Sequence, residues 1–426
     1  MDHLHDFHRV KGEFFCEKVP VRRIVEKVGT PAYIYSHKTL VGHYRKLATA
    51  FSSLKPLICF SVKANNNLAI LNLLVREGAG LDIVSGGELY KALRAGCPAP
   101  RIVFASVGKH PEEIKASLSK GIFCFNVESA PELEAIDAMA RKFRRKARVA
   151  LRVNPDVEAH THHYITTGKK ESKFGIDIDT AKRLLEHHQA FPNIEIIGIH
   201  LHIGSQITQA KPFVEAIERG RAVIEAGRAA GLKMEWINLG GGLGIIYKDE
   251  RPQTPDDFAR AVLPHLRSLG VRLILEPGRF IVGNAGVLVT QVLYIKPGSE
   301  KSFAIVDAGM NDLLRPALYG AYHEVVPVRE LAAARNGRDM RFDVVGPVCE
   351  SADVLAKDRK LGDLSSGHLL AILGAGAYGS TMASNYNGRL RPAEVLVRGS
   401  RWALIRKRDR MSDLVRQDLI PEALLK

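Results

Sequence analysis

Cysteine is scarce in this 426-residue chain, which has five: Cys16, Cys59, Cys97, Cys124 and Cys349. They are scattered, odd in number and without CxxC spacing. That excludes a disulfide framework and a cysteine zinc site, and it suits a reducing cytoplasm. Long hydrophobic runs are missing too. Stretches such as Leu369–Leu373 and Ile194–Ile199 fall far short of the roughly 20 apolar residues that a membrane span needs. Met1 to Pro20 is polar and holds no apolar stretch of signal-peptide length, so a cytoplasmic protein is expected. There is no low-complexity linker and no clear metal motif. His160, His162 and His163 form HTHH, and His3, His5 and His8 sit near the start, but HTHH has no helical i, i+4 pair and no cysteine nearby.

Acid is outnumbered by base, 46 to 61, which gives a net charge of +15. The only dense basic run, RKFRRKAR at Arg141–Arg148, ends a helical pattern carried by Leu133, Ile136, Met139 and Phe143. Cations suit the negative end of a helix dipole, so a solvated helix end explains the run. No basic stripe interleaved with stacking aromatics is present, so nucleic acid is not an expected partner.

Hydrophobic residues make up 46% and charged residues 25% of the chain, ordinary globular values, and the length predicts two domains. From about residue 36 the pattern alternates between short β-branched runs and helical periodicity. The first helix opens after Ser36, with Leu40, Tyr44, Leu47 and Phe51 on one face. Candidate strands are Leu57–Val62, Leu81–Val84, Ile102–Ala105, Phe123–Val127, Arg148–Val153, Ile194–Leu201, Trp236–Leu239 and Leu273–Leu275. Eight such units predict an α/β fold of the (β/α)₈ TIM-barrel type over residues 36–280. After about Phe280 the rhythm changes to short runs: Gly286–Ile295, Ser302–Val306, Arg341–Val345, Leu369–Leu373 and Glu394–Arg398. These predict a mostly antiparallel β-domain from residues 281–426 and 1–35, which the N-terminal strand Gly12–Val19 joins.

In such a barrel the chemistry sits at the carboxyl ends of the strands, and the unusual residues gather there. Lys63 follows the first strand in CFSVKANNN, where an apolar strand end would desolvate it and free its amine. By itself it also reads as a surface lysine. HLHIGSQ follows the sixth strand with His200, His202 and Ser205, and a strand histidine is commonly a core residue. Gly240, Gly241 and Gly242 follow the seventh strand, either as a phosphate cradle of bare N–H groups or as a plain turn. Glu276-Pro277-Gly278-Arg279 follows the eighth, and the loops after strands seven and eight form the usual phosphate site of this barrel. The GxGxxG match from Gly374 to Gly379 lies in the β-domain without a following helix, which speaks against a dinucleotide site.

Taken together, FSVKAN, DIVSGGEL, HLHIGSQ, GGGLG, EPGRFIVG, LLRPALYG, GPVCESAD and AYGSTMASNYNGR resemble the alanine-racemase-type barrel group of pyridoxal-phosphate enzymes, in particular its decarboxylases. The likeness runs from about Gly12 to Val397. It implies pyridoxal 5'-phosphate as cofactor, with Lys63 as its Schiff-base lysine and His202 stacked on the ring. It also implies that Gly240–Gly242, Gly278 and Tyr378 hold the phosphate, with Ser205 and Arg279 beside them. Glu276 separates decarboxylases from racemases, because a carboxylate at the ring nitrogen keeps it protonated and strengthens the electron sink.

In this family the cysteine corresponding to Cys349 comes from the neighbouring subunit and protonates the carbon that loses CO₂. A homodimer with shared active sites and an amino-acid substrate are therefore implied. Glu350 after that cysteine points to the diaminopimelate type, since ornithine-type enzymes carry Asp. Arg315 and Tyr319, with Arg279 and Tyr378, supply the remaining substrate contacts, and guanidinium forks suit a distal carboxylate. The rival substrates are ornithine, arginine and carboxynorspermidine. A non-catalytic relative would lose the lysine or the cysteine, and both are present.

Overall fold

The protein is described by a computed structural model over residues 5–158, 173–298, 301–332 and 341–425. His3, His160, His162 and His163 lie outside these residues. The chain forms two compact units, Thr39–Gly283 and Met1–Lys38 with Asn284–Lys426.

The first unit is a closed barrel of parallel strands: Leu57–Ser61, Gly80–Ile83, Ile102–Phe104, Cys124–Val127, Ala147–Arg152, Ile194–His200, Trp236–Asn238 and Arg272–Leu275. Closure comes from the last strand pairing with the first, Ile274 opposite Leu57 and Leu275 opposite Ile58. These strands are covered on both faces, so they read as continuous apolar runs rather than alternating ones. Leu57, Cys59, Val103, Phe123, Cys124, Ile197, Trp236 and Ile274 form one of its buried clusters. The helices between the strands start where side chains can accept orphan N–H groups. Asn67, Ser85, Ser129, Asp177 and Thr254 each cap one in this way. The strands thus deliver their carboxyl ends to one rim of the barrel, which is where the site is built.

In the second unit, Ala32–Ser36 lies at the middle of the main sheet. It pairs antiparallel with Gly286–Lys296 and parallel with Ala393–Arg398. Most other pairs are antiparallel, including three strands absent from the sequence expectation: Val325–Pro327, Val354–Lys360 and Arg401–Arg406. The N-terminal segment joins this domain, chiefly through Ala32–Ser36. The stretch expected as a strand at Gly12–Val19 is instead part of a small three-stranded sheet, Phe7–Val10, Glu13–Cys16 and Val19–Pro20. It touches Val325–Pro327's continuation through the Phe14 N–H, which donates to Val328 O at 2.8 Å. The Ser36 hydroxyl donates to the buried Glu17 carboxylate at 2.9 Å. No helix among the described residues is long and apolar enough to cross a membrane.

Candidate active site

Lys63 sits in a single turn, Val62–Ala64, at the end of the first barrel strand. The expected desolvated amine has different surroundings: the side chain is 35% exposed, and Nζ lies 3.1 Å from Asp82 Oδ2. Asp82 ends the second strand fully buried and also accepts from Ser61 Oγ at 2.6 Å. Burial and then the Glu276 charge push the Asp82 carboxyl up, while Lys63 and Ser61 oppose them. Lys63 is therefore held at the rim by a fully buried carboxylate whose pKa is raised chiefly by its burial.

Glu276 follows the eighth strand and is buried. Its Oε1 accepts from Asn126 Nδ2 at 2.9 Å and from Asn238 Nδ2 at 2.5 Å. His200 Nε2 lies 3.2 Å from Oε2, off the line of a good hydrogen bond. Burial alone would push this carboxyl up. The His200 and Lys63 charges and the Asn238 bond outweigh it and hold Glu276 well below the usual carboxylate range. A buried anion is costly unless donors meet it, and two barrel strands supply them here through Asn126 and Asn238.

His202 lies past the sixth strand and is half-buried. Its Nδ1 accepts from the Gly241 N–H at 3.2 Å, so the ring proton belongs on Nε2. Burial first, then the Arg152 and Lys63 charges, hold its pKa well below the usual range. The site thus offers a neutral, flat ring beside two cations.

The glycine loop is crowded rather than bare. A Cβ on Gly240 would lie 2.6 Å from His202 Nδ1, and one on Gly241 2.3 Å from Glu276 O. Of its N–H groups, Gly240 donates to Asn238 Oδ1 at 2.8 Å and Gly241 to His202. This corrects the expectation of a cradle of bare N–H groups. Gly242 and Gly278 N–H make no hydrogen bond among the described residues. Close by, Arg279 is buried and donates to Tyr247 Oη at 2.6 Å and to Ser205 Oγ at 2.9 Å.

The remaining candidates lie in the β-domain. Arg315 and Tyr319 bound a short helix, with Arg315 buried and Tyr319 half-buried. Cys349 and Glu350 are exposed, whereas the other four cysteines are buried. The Cys349 N–H donates to Asn387 Oδ1 at 2.7 Å. Tyr378 takes φ +58°, a left-handed backbone uncommon for an aromatic residue.

Several supporting residues escaped the sequence reading. Asp82 stood unremarked in DIVSGGEL. Asn126, Asn238 and Tyr247 carry no signal of their own. Glu88, whose carboxylate accepts the Val84 N–H at 2.8 Å, is pushed up to about 7 by burial and then by Asp82. Below the rim, the fully buried Lys109 ammonium donates to Glu132 at 2.5 Å and to the Asn126 carbonyl at 2.8 Å. Arg152 pairs with Glu128 at 2.6 Å.

These groups fit pyridoxal phosphate: an amine, a buried carboxylate, a neutral flat ring and two unused N–H donors on one barrel rim. The family described as pyridoxal-dependent decarboxylase, pyridoxal binding domain, matches residues 37–283. The chain belongs to the pyridoxal-dependent decarboxylases. Among related proteins of this family, the diaminopimelate decarboxylase of Pseudomonas aeruginosa is 47% identical over 96% of this chain and 98% of its own. The Helicobacter pylori diaminopimelate decarboxylase, solved with L-lysine, shares 40% identity and superposes with a TM-score of 0.89 over 93% of this chain and 98% of that one. The M. jannaschii enzyme, also solved with L-lysine, gives 37% and 0.92 over 99% of both chains. A lysine/ornithine decarboxylase from Vibrio vulnificus, at 24% identity and a TM-score of 0.78, shares the fold.

Proposed function

We propose that this pyridoxal-dependent decarboxylase converts meso-2,6-diaminopimelate to L-lysine and CO₂, the last step of lysine formation, in the cytoplasm. The observation that carries the chemistry is the Glu276 carboxylate, clamped by Asn126 and Asn238 and kept ionised in the barrel core. When bound, pyridoxal phosphate supplies the sink for the electron pair that CO₂ leaves behind. Glu276 would hold a proton at the cofactor's ring nitrogen and so deepen that sink. Lys63 would hold the cofactor's aldehyde carbon through its amine. His202 would cover one face of the cofactor ring, and its neutral state spares the site a further cation. Gly242, Gly278, Ser205 and Tyr378 serve the phosphate, with the Gly240–Gly241 backbone fixing the loop.

Substrate choice follows from charge. Diaminopimelate presents a distal carboxylate and a distal ammonium, and Arg315, with Tyr319 and Arg279, suits the first while Glu350 suits the second. Ornithine, arginine and lysine lack that carboxylate and would leave Arg315 without purpose. Release of CO₂ from meso-diaminopimelate, L-ornithine and L-lysine, each with and without added cofactor, tests the reading. Only the first, with cofactor, is expected to react well, and faster release from ornithine would overturn the assignment.

An exposed Cys349 is the group that returns the proton to carbon, and we place it in the active site of a second subunit. Lys63→Ala and Cys349→Ala chains are then each inactive alone. After random reassortment half of the dimers are hybrids with one intact site, so about a quarter of wild-type activity should return. No recovery despite demonstrated subunit exchange would place each site within one chain.

A further inference from the structure

We infer that His323 is a positioning residue that holds the Arg315 guanidinium in the orientation that receives the substrate's distal carboxylate. The inference rests on the reading of Arg315 given under Proposed function and extends it to a residue that no motif singled out. His323 is fully buried, and Arg315 nearly so. Arg315 Nη1 lies 2.8 Å from His323 Nε2, and His323 Nδ1 lies 2.8 Å from the Leu373 carbonyl oxygen.

The chemistry of the two neighbours fixes the ring. A carbonyl only accepts, so Nδ1 must carry a proton. A guanidinium only donates, so Nε2 must offer a lone pair. The two requirements agree on one neutral tautomer, and a protonated ring meets only the first of them. A protonated ring would also press a cation against a buried cation. The histidine thus accepts one of the guanidinium's five N–H donors and so fixes the plane of the fork.

The backbone under His323 is itself held from two sides. Arg359 Nη2 donates to the His323 carbonyl at 3.1 Å, and the Arg359 guanidinium stacks over the Tyr322 ring at 4.0 Å. The Leu373 N–H donates to Glu324 O at 2.8 Å, extending the pairing of Val325–Pro327 with Leu369–Ile372. His323 is therefore a fixed post at a sheet end, whereas arginine is a long side chain that would otherwise sample many rotamers. Binding a carboxylate to a fork already aimed costs less entropy than binding it to a free one.

Two substitutions separate the bonds. His323→Asn keeps a donor near Nδ1 for the Leu373 carbonyl and removes the acceptor for Arg315. His323→Gln places an amide oxygen near Nε2 and retains the acceptor. In the full-length holoenzyme, His323→Asn is expected to raise KM for meso-diaminopimelate by roughly ten- to a hundredfold, the scale of one hydrogen bond to a charged group. Turnover should change less, and the cofactor absorption band should not move. His323→Gln should recover most of the loss, and His323→Asn should add nothing in an Arg315→Ala background. An unchanged KM in His323→Asn, or full additivity with Arg315→Ala, overturns the inference while leaving the Arg315 assignment standing. An unchanged KM in Arg315→Ala alone overturns both.

Discussion

Lys63→Ala is expected to lose at least roughly a thousandfold in turnover, because this side chain is the cofactor's covalent anchor. The wild-type protein should be yellow from a protonated imine, and borohydride should fix the cofactor to Lys63. The variant should lack that band. Lys109 is no competitor: its amine is fully buried and donates to Glu132 and to two backbone carbonyls. Loss of folding is not expected to explain the result. Removing the Lys63 cation shifts Asp82 further in the direction that burial already drives it, towards the neutral form, which eases the cost of leaving it unpaired. Peptide mapping of the reduced protein decides the matter, and label on Lys109 or Lys173 would overturn the assignment.

Arg315→Ala is expected to cut kcat/KM for meso-diaminopimelate by a hundredfold or more. Removing one partner of a buried charge pair costs roughly 3–5 kcal/mol, and each decade of rate corresponds to about 1.4 kcal/mol. Trace activity on ornithine should barely change, since ornithine has no distal carboxylate to lose a partner. Steady-state kinetics on both substrates separates the possibilities. Equal damage to both would make Arg315 a structural or cofactor-binding residue, and the choice of diaminopimelate would lose its strongest physical support.

The barrel was highly legible because its strands are buried on both sides. Each of the eight strand ends falls within one residue of where the apolar runs placed it. The β-domain was less so. Val354–Lys360 reads VLAKDRK, whose charges mask a strand with one open face. Arg401–Arg406 did leave a signal: Arg398 pairs with Arg401 across the two-residue turn Gly399-Ser400, a hairpin sign that went unused.

At the site, the residues visible in sequence were those whose chemistry is rare at strand ends: Lys63, His202 and Glu276. Their supports were invisible. Asn126 and Asn238 are ordinary amides, and they matter only because folding brings them onto Glu276 from 150 and 38 positions away. The glycine loop shows the converse error. GGGLG was legible as a loop, but sequence could not say that two of its N–H groups were already spent on Asn238 and His202.

The position of Ala32–Ser36 in the middle of the second unit's sheet has a consequence for synthesis. All five of its residues are buried in the finished fold, and its antiparallel neighbour begins at Gly286. On a ribosome the strand therefore emerges roughly 250 residues ahead of that partner, and its parallel neighbour, Ala393–Arg398, is made later still. At roughly 5–20 residues per second, the wait lasts on the order of 12 to 50 s. During that time the strand is apolar, with both edges open, which is the condition that invites pairing with another chain. The barrel, which is encoded in between, can close before this central strand has either neighbour. Chains that stop short of Gly286 are left with a finished barrel and an unpaired strand.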